Sequence, residues 1–414
     1  MWTKAAEPGA SRSWLDNAVL IGLYNVLTAS VIGVVAVLSS SKGLSWDSFL
    51  RFDALHYQWI AEHGYADFRQ AFFPLFPLLW RILTVEVWTA VAMNGTLYLL
   101  ALITLGNSLR IDRRTLLMFC STPTAVFFFV PYTESLFFVG SAVLLIGHSR
   151  QERGLIFMGY LIACTSRPVF TALLPAVVLA TWLAGNDRRS IYHQLIPAAG
   201  GVALALAMVT MVQYRDTGEF LGFYHAQSGW GNTFGLPTMP LTSWGGGWIV
   251  MLDAAALLIG CIAGLLTLRM AYTKWTTGSS NEPFLVALST GYLASVSLLV
   301  LLIHGGELYS LGRFVFCSPF LIVLLWRYLP RWSQGTIKRH VLTFGVLVLF
   351  FLLFGSYVHI QTFLRFLALA GLLAVIPISC YTKGPWVWSA MVGALLWSVQ
   401  IYFALHFLDG GWVG

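Results

Sequence analysis

Between Trp46 and Ile60 the apolar and aromatic residues fall at helical spacing, and an aspartate stands among them. Trp46, Phe49, Leu50, Asp53, Tyr57 and Ile60 lie on one face of a helix drawn through this stretch. His56 follows Asp53 by three positions, on the same side. A carboxylate in an apolar stripe is costly unless it has a partner or a task. Two readings fit. In one, Asp53 is bonded to His56, Tyr57 or a neighbouring backbone group and is structural. In the other, partial desolvation strengthens it as a general base at the edge of a cavity. Downstream, Phe72-Phe73-Pro74-Leu75-Phe76-Pro77-Leu78-Leu79 is apolar, too short to span a bilayer and interrupted by two prolines. It reads as a segment that dips into the outer leaflet and packs a cavity wall.

The rest of the chain must hold these residues at a membrane. Of its 414 residues, 58% are hydrophobic and 10% charged, against about 25% charged in soluble proteins. The mean hydropathy is +0.75. This excludes a soluble enzyme, a nucleic-acid binder with basic arms and a disordered hub. The five cysteines lie in or beside apolar runs without metal-ligand spacing and read as small hydrophobes. Apolar runs of spanning length fall at 17–39, 87–107, 195–213, 248–270, 284–303, 313–329, 341–358, 364–380 and 386–405. The first has no cleavage site of small residues behind it and reads as a retained helix. Residues 115–148 and 155–184 are each too long for one span. They break at Pro131-Tyr132-Thr133-Glu134 and at Ser166-Arg167-Pro168. The expected fold is an all-α integral membrane bundle of about 11–13 spans, with an amphipathic helix in the first outside loop.

Charge sets the orientation. With the N-terminus inside and the spans alternating, 16 of the 24 basic residues fall inside and 8 outside, while acids lie 10 outside, 6 inside and one, Asp253, within a span. The outside acids gather in the loops 40–86 and 214–247. A proton-coupled transporter would place acids at mid-membrane. Asp253 alone is a candidate for that, and it stands near its helix start, where an interfacial position is the simpler reading.

Several blocks together resemble a known family. Asp53-Ala-Leu-His56-Tyr57, then Ile60-Ala61-Glu62-His63-Gly64-Tyr65 and Ala71-Phe72-Phe73-Pro74-Leu75-Phe76-Pro77-Leu78, are similar to the GPI mannosyltransferase 2 (PIG-V-like) family of GT-C glycosyltransferases. Ser121-Thr122-Pro123-Thr124-Ala125-Val126-Phe127-Phe128 with Tyr132-Thr133-Glu134-Ser135-Leu136-Phe137, and Thr165-Ser166-Arg167, fit further family blocks. The resemblance covers about the first 185 residues, with an echo at 223–230. Pro168 and Val169 depart from the family's Asn-Gly, and the chain resembles a compact prokaryotic-type member. It implies a catalytic module over 1–185 and additional helices over 186–414, within one polytopic domain of a bacterial or archaeal cytoplasmic membrane, or of the endoplasmic reticulum if the source is eukaryotic.

The resemblance also implies a chemistry. A hexose, taken to be mannose, moves with inversion from a polyprenyl-phosphate donor to a lipid-linked or glycan acceptor on the non-cytoplasmic face. Asp53 is the implied general base. The leaving phosphate needs positive charge beside it, and the outside arginines are few: Arg167 and Arg313 at span ends, Arg51 and Arg69 flanking the acidic helix. Each also fits interfacial snorkelling. Glu134 reads as a sugar ligand or as a cap on the helix that follows it. His56 and Glu62 either orient Asp53 or hold a divalent ion; Tyr57 belongs to the same substrate site. In the loop 214–247, Trp230 offers a stacking ring and Gln227 a hydroxyl partner. No cofactor or metal is expected, and the expected partners are donor, acceptor and membrane lipid, not nucleic acid. Two other classes remain: a lipid or sugar transporter, and a non-catalytic scaffold that would tolerate loss of Asp53.

Overall fold

A computed structural model describes residues 14–39, 45–83, 86–185, 188–280, 282–333, 337–381 and 386–414. Lys4, Arg12, Lys42 and Lys383, which enter the charge partition, lie outside the described residues. The chain runs through α1 (Trp14–Ser39), the short α2 (Asp53–His63) and α3 (Leu75–Leu83), then α4 (Val87–Leu109) and α5 (Arg113–Cys120). Next come α6 (Glu134–Arg150), α7 (Arg153–Ser166), α8 (Phe170–Ala184), α9 (Arg188–Thr217) and the short α10 (Gly222–Gly229). The last third holds α11 (Gly247–Thr277), α12 (Phe284–Ile303), α13 (Leu311–Phe316), α14 (Pro319–Ser333), α15 (Ile337–Phe351), α16 (Ile360–Tyr381) and α17 (Trp386–Leu408). Seven of these helices are long and apolar enough to cross a membrane, and α7 and α8 are apolar but shorter. The protein is an all-α, multi-pass membrane protein.

The breaks follow local chemistry. Ser166-Arg167-Pro168 separates α7 from α8, as the sequence predicts. The 115–130 stretch differs from a single span: α5 ends at Cys120, and Pro123–Phe128 continues as a 3-10 segment with Pro123 at its start. The 313–329 run is likewise divided into α13 and α14 ahead of Pro319. In the first outside loop, residues 46–60 do not form one helix. The backbone turns at Phe52 (φ 49°), and α2 begins only at Asp53. Tertiary packing imposes that turn, since the Phe52 ring sits edge-on to Trp412 at 4.9 Å and against Phe407 at 6.1 Å. Asp53, Tyr57 and Ile60 therefore share a helix, whereas Trp46, Phe49 and Leu50 precede it. The Phe72–Leu79 prolines do not prevent a helix either. Pro74 precedes α3 and Pro77 lies in its first turn, where a backbone N–H has no helical partner to lose.

The centre of the bundle is held by close backbone approach. A Cβ on Gly140 of α6 would lie 2.5 Å from the Ala163 nitrogen of α7, and one on Gly159 would lie 2.4 Å from the Leu144 nitrogen. Gly201 brings α9 equally close to Phe157 of α7. Small residues at helix crossings replace the missing hydrophobic drive within lipid by van der Waals contact. Gly159→Leu should therefore separate α6 from α7 and abolish a monodisperse, detergent-extractable fold, while Gly154→Leu, where a side chain meets open space, should not. Equal solution behaviour of the two variants would remove the glycine contact from the account.

Ion pairs sort the polar residues into two ends. Arg113–Asp16 (3.2 Å), Arg327–Glu282 (2.8 Å) and Arg331–Glu282 (3.5 Å) join residues that the charge rule places inside. Arg167–Glu134 (3.0 Å) and Arg313–Asp53 (2.7 Å) join residues that it places outside. Cysteines introduced at Ser45 and Ser228, in a background without the five native ones, should react with an impermeant thiol reagent outside intact cells. One at the exposed Ser279 should stay unlabelled; outside labelling of that position would invert the assignment.

Candidate active site

The end of the bundle that the charge rule places outside carries a chain of alternating charge. Asp53 is the first residue of α2, where the helix N-terminus favours a carboxylate. Its Oδ2 accepts from Arg313 Nη1 at 2.7 Å. Arg313 turns its Nε and Nη2 onto Glu134 Oε1, each at 2.7 Å. Arg167 Nη1 donates to the same oxygen at 3.0 Å. The side chains of Arg313, Glu134 and Arg167 are 3%, 0% and 8% exposed, while Asp53 keeps 22%. Two carboxylates and two guanidiniums sum to zero, which is what allows charge at this depth. Asp53 is thus the member that solvent or a ligand reaches.

Each member is positioned by its own element. The turn 130–133 is fixed by Asn94 Nδ2, which donates to the carbonyls of Val130 (2.6 Å) and Tyr132 (2.9 Å). Glu134 then opens α6; its cap position is Thr133, so the Glu134 side chain does not cap the helix. The Tyr57 hydroxyl meets Thr133 Oγ1 at 3.3 Å, and burial pushes its pKa well above that of a free tyrosine, keeping it a neutral hydroxyl. The Tyr132 hydroxyl donates to the Arg51 carbonyl at 3.0 Å, tying the same turn to the entry of α2. Arg313 lies with its guanidinium 4.8 Å over the Phe127 and Tyr132 rings, and Arg167 lies 4.3 Å over Phe314. Asp253, near the start of α11, is fully buried within the protein. It accepts from Ser243 Oγ (2.5 Å) and from the Gly312 nitrogen (2.7 Å), fixing the backbone immediately before Arg313.

Of the residues singled out in the sequence, Asp53, Tyr57, Glu134, Arg167 and Arg313 come together here. His56 and Trp230 meet one helical turn away. Trp230 stands edge-on to His56 at 5.5 Å, and both line an open groove of about 840 Å³ with Asp67, Gln70, Asp216 and His225. Burial lowers the His56 pKa, the Asp53 charge raises it and Arg69 lowers it, with burial prevailing, so the ring is neutral at pH 7. Glu62 does not join the site. Nine residues past Asp53 it faces the opposite side of α2, exposed and bonded to Gln58. Gln227 is also turned inward on its own loop, accepting from Asn232 Nδ2 at 2.7 Å and donating to the Phe223 carbonyl. Arg167 and Arg313 are not free outer cations, since carboxylates hold both. The Phe72–Leu79 segment is largely packed: Phe73 and Phe76 are buried, with Phe76 edge-on to Trp80 at 5.5 Å.

Arg51 is the residue whose weight the sequence understates. It lies two positions before Asp53, and its Nε is buried without a hydrogen-bond partner among the described residues. Its guanidinium carbon is 3.6 Å from the site of a Cβ on Gly410. Trp412 Nε1, in the same C-terminal segment, is a second buried donor without a partner. Glu134 Oε2 and Gln70 Oε1 are buried acceptors in the same state. A part-exposed carboxylate can accept a proton from a hydroxyl, and unmet N–H donors can hold an anion. The chain matches no model of a known protein family and no curated protein.

Proposed function

We propose that the protein is a GT-C-type glycosyltransferase that moves a hexose, taken to be mannose, from a polyprenyl-phosphate donor to a hydroxyl of a lipid-linked or glycan acceptor. Asp53 carries the reading: a reachable carboxylate whose Oδ2 is held by Arg313, two positions along the chain from an arginine with no ion-pair partner among the described residues. Asp53 Oδ1 takes the acceptor proton as the hydroxyl oxygen attacks the anomeric carbon, and the carbon–phosphate oxygen bond breaks with inversion. The departing phosphate gains positive charge from Arg51, not from the carboxylate-bound Arg167 and Arg313. The groove at His56 and Trp230 suits an acceptor sugar, with an aromatic face for stacking and the acceptors Asp216 and Gln70 for hydroxyl hydrogens. The resemblance to the GPI mannosyltransferase 2 family supports the same assignment.

Purified protein given polyprenyl-phosphate [³H]mannose and membrane lipid extract should produce a labelled glycolipid. Labelled donor that crosses a vesicle bilayer chemically unchanged, with no product formed, would favour a transporter instead. Arg51→Ala should raise the KM for the donor or lower kcat by about 10- to 100-fold, matching the roughly 1.5–3 kcal/mol of one charged hydrogen bond, with acceptor affinity retained. If acceptor affinity alone falls, the phosphate lies elsewhere.

A further inference from the structure

A long apolar cavity, none of whose lining residues belongs to the charge cluster, lies between the later helices. About 450 Å³ in volume, it is enclosed by α11, α14, α16 and α17 and by the chain around Pro123. Its wall runs from Trp248 to Ile262 on α11 and from Arg365 to Pro377 on α16. At about 1.5 Å per residue the α11 wall is roughly 20 Å long, most of a hydrocarbon core of roughly 30 Å. The lining is aliphatic and aromatic apart from Ser121, Thr122 and a single charged residue, Arg365. Arg365 stands at one end, its guanidinium 5.1 Å over the Trp248 ring. Among the described residues no carboxylate pairs with it. A smaller cavity of about 150 Å³ opens beside it, lined in part by Thr242 and Thr362.

These features specify an occupant. Water needs two to four polar partners, which the shaft does not offer. Left empty, the shaft would forfeit dispersion contacts along its whole length. A hydrocarbon chain from the surrounding bilayer restores them. An arginine at the membrane boundary without a carboxylate is satisfied by a phosphate oxygen through charge-assisted hydrogen bonds, and the adjoining small cavity provides hydroxyls and room for the rest of a head group. The occupant is not the donor of the proposed reaction. None of Asp53, Glu134, Arg167 and Arg313 lines the shaft. The 3-10 segment Pro123–Phe128 and α13 stand between, with Pro123 and Phe316 facing the shaft and Phe127 facing Arg313.

We infer that this cavity is a binding site for one acyl chain of an anionic phospholipid, whose phosphate rests on Arg365 beside Trp248. The inference does not depend on the transferase reading. The full-length protein, purified in mild detergent, should retain about one phospholipid per chain by native mass spectrometry. Delipidated protein should reload phosphatidylglycerol at least fivefold more tightly than phosphatidylcholine of the same chains, and Arg365→Gln should erase that preference. Ala368→Trp, which fills the shaft, should cut retention at least tenfold. A photoactivatable phosphatidylglycerol with the reactive group deep in its chain tests the site without any substitution, and its crosslinks should map to α11 and α16 peptides. Crosslinks confined to outward-facing helix surfaces, or an unchanged lipid preference in Arg365→Gln, would overturn the site. Displacement of the phospholipid by polyprenyl phosphate in competition would overturn the claim that it is separate from the donor.

Discussion

Asp53→Asn should lower sugar transfer by at least about 10²-fold, the lower end for loss of a general base, while the protein stays folded. The amide preserves the size of the side chain, and its oxygen still accepts from Arg313, which donates at 2.7 Å in the native protein. Extraction yield should therefore remain close to wild type and donor binding should persist, while the thermal denaturation midpoint falls only modestly, because the cluster is left with one surplus positive charge. The separation of turnover from stability is the informative part. A merely structural Asp53 would lose both together, and near-normal transfer by purified Asp53→Asn would remove it from the chemistry.

Arg313→Ala should do the opposite and strike stability first. It strips the fork from Glu134, fully buried, and leaves Asp53 without its cation. Breaking a buried pair by removing one partner costs about 3–5 kcal/mol; here Glu134 keeps Arg167 and Asp53 keeps contact with solvent, so the loss should fall toward the lower end of that range. Arg313→Lys should recover only part of this, since one ammonium cannot present three nitrogens to two carboxylates. Adding Asp53→Asn to Arg313→Ala should restore some of the lost thermal stability, since it removes the carboxylate left without a cation while Glu134 keeps Arg167, the non-additivity expected of one network. Equal denaturation midpoints for wild type and Arg313→Ala would mean that the cluster contributes nothing to holding α2, α6 and α13 together.

Much of the frame was legible because hydropathy and charge asymmetry act over whole segments. The split at Ser166-Arg167-Pro168 and the pairing of same-side charges follow directly. What failed were contacts whose partners lie far away in the chain. No local pattern announces that Phe52 packs on Trp412 and so delays α2 to Asp53. None announces that Asp253 holds the Gly312 nitrogen. Arg167 and Arg313 are recognisable as costly outer-boundary cations, yet no local pattern aims them at Glu134 instead of at a lipid phosphate. Glu62 shares the motif with Asp53 but, nine residues on, lies on the other face of α2. The distinction of Arg51 is an unmet N–H, which only three-dimensional neighbours define.

The charge cluster also bears on how the protein is made. Arg167 follows Glu134 by 33 residues and Arg313 follows it by 179. At 5–20 residues per second, the ribosome delivers Arg167 within roughly 2–7 s of Glu134 but Arg313 only after roughly 9–36 s. During that interval the nascent helices α6 and α7 can pair their opposite charges, while Asp53 waits in the outer loop without its cation. The arrival of α13 is then the event that neutralises Asp53 and closes the cluster. Chains stalled or truncated before residue 313 would leave Asp53 without the cation that pairs with it in the finished fold.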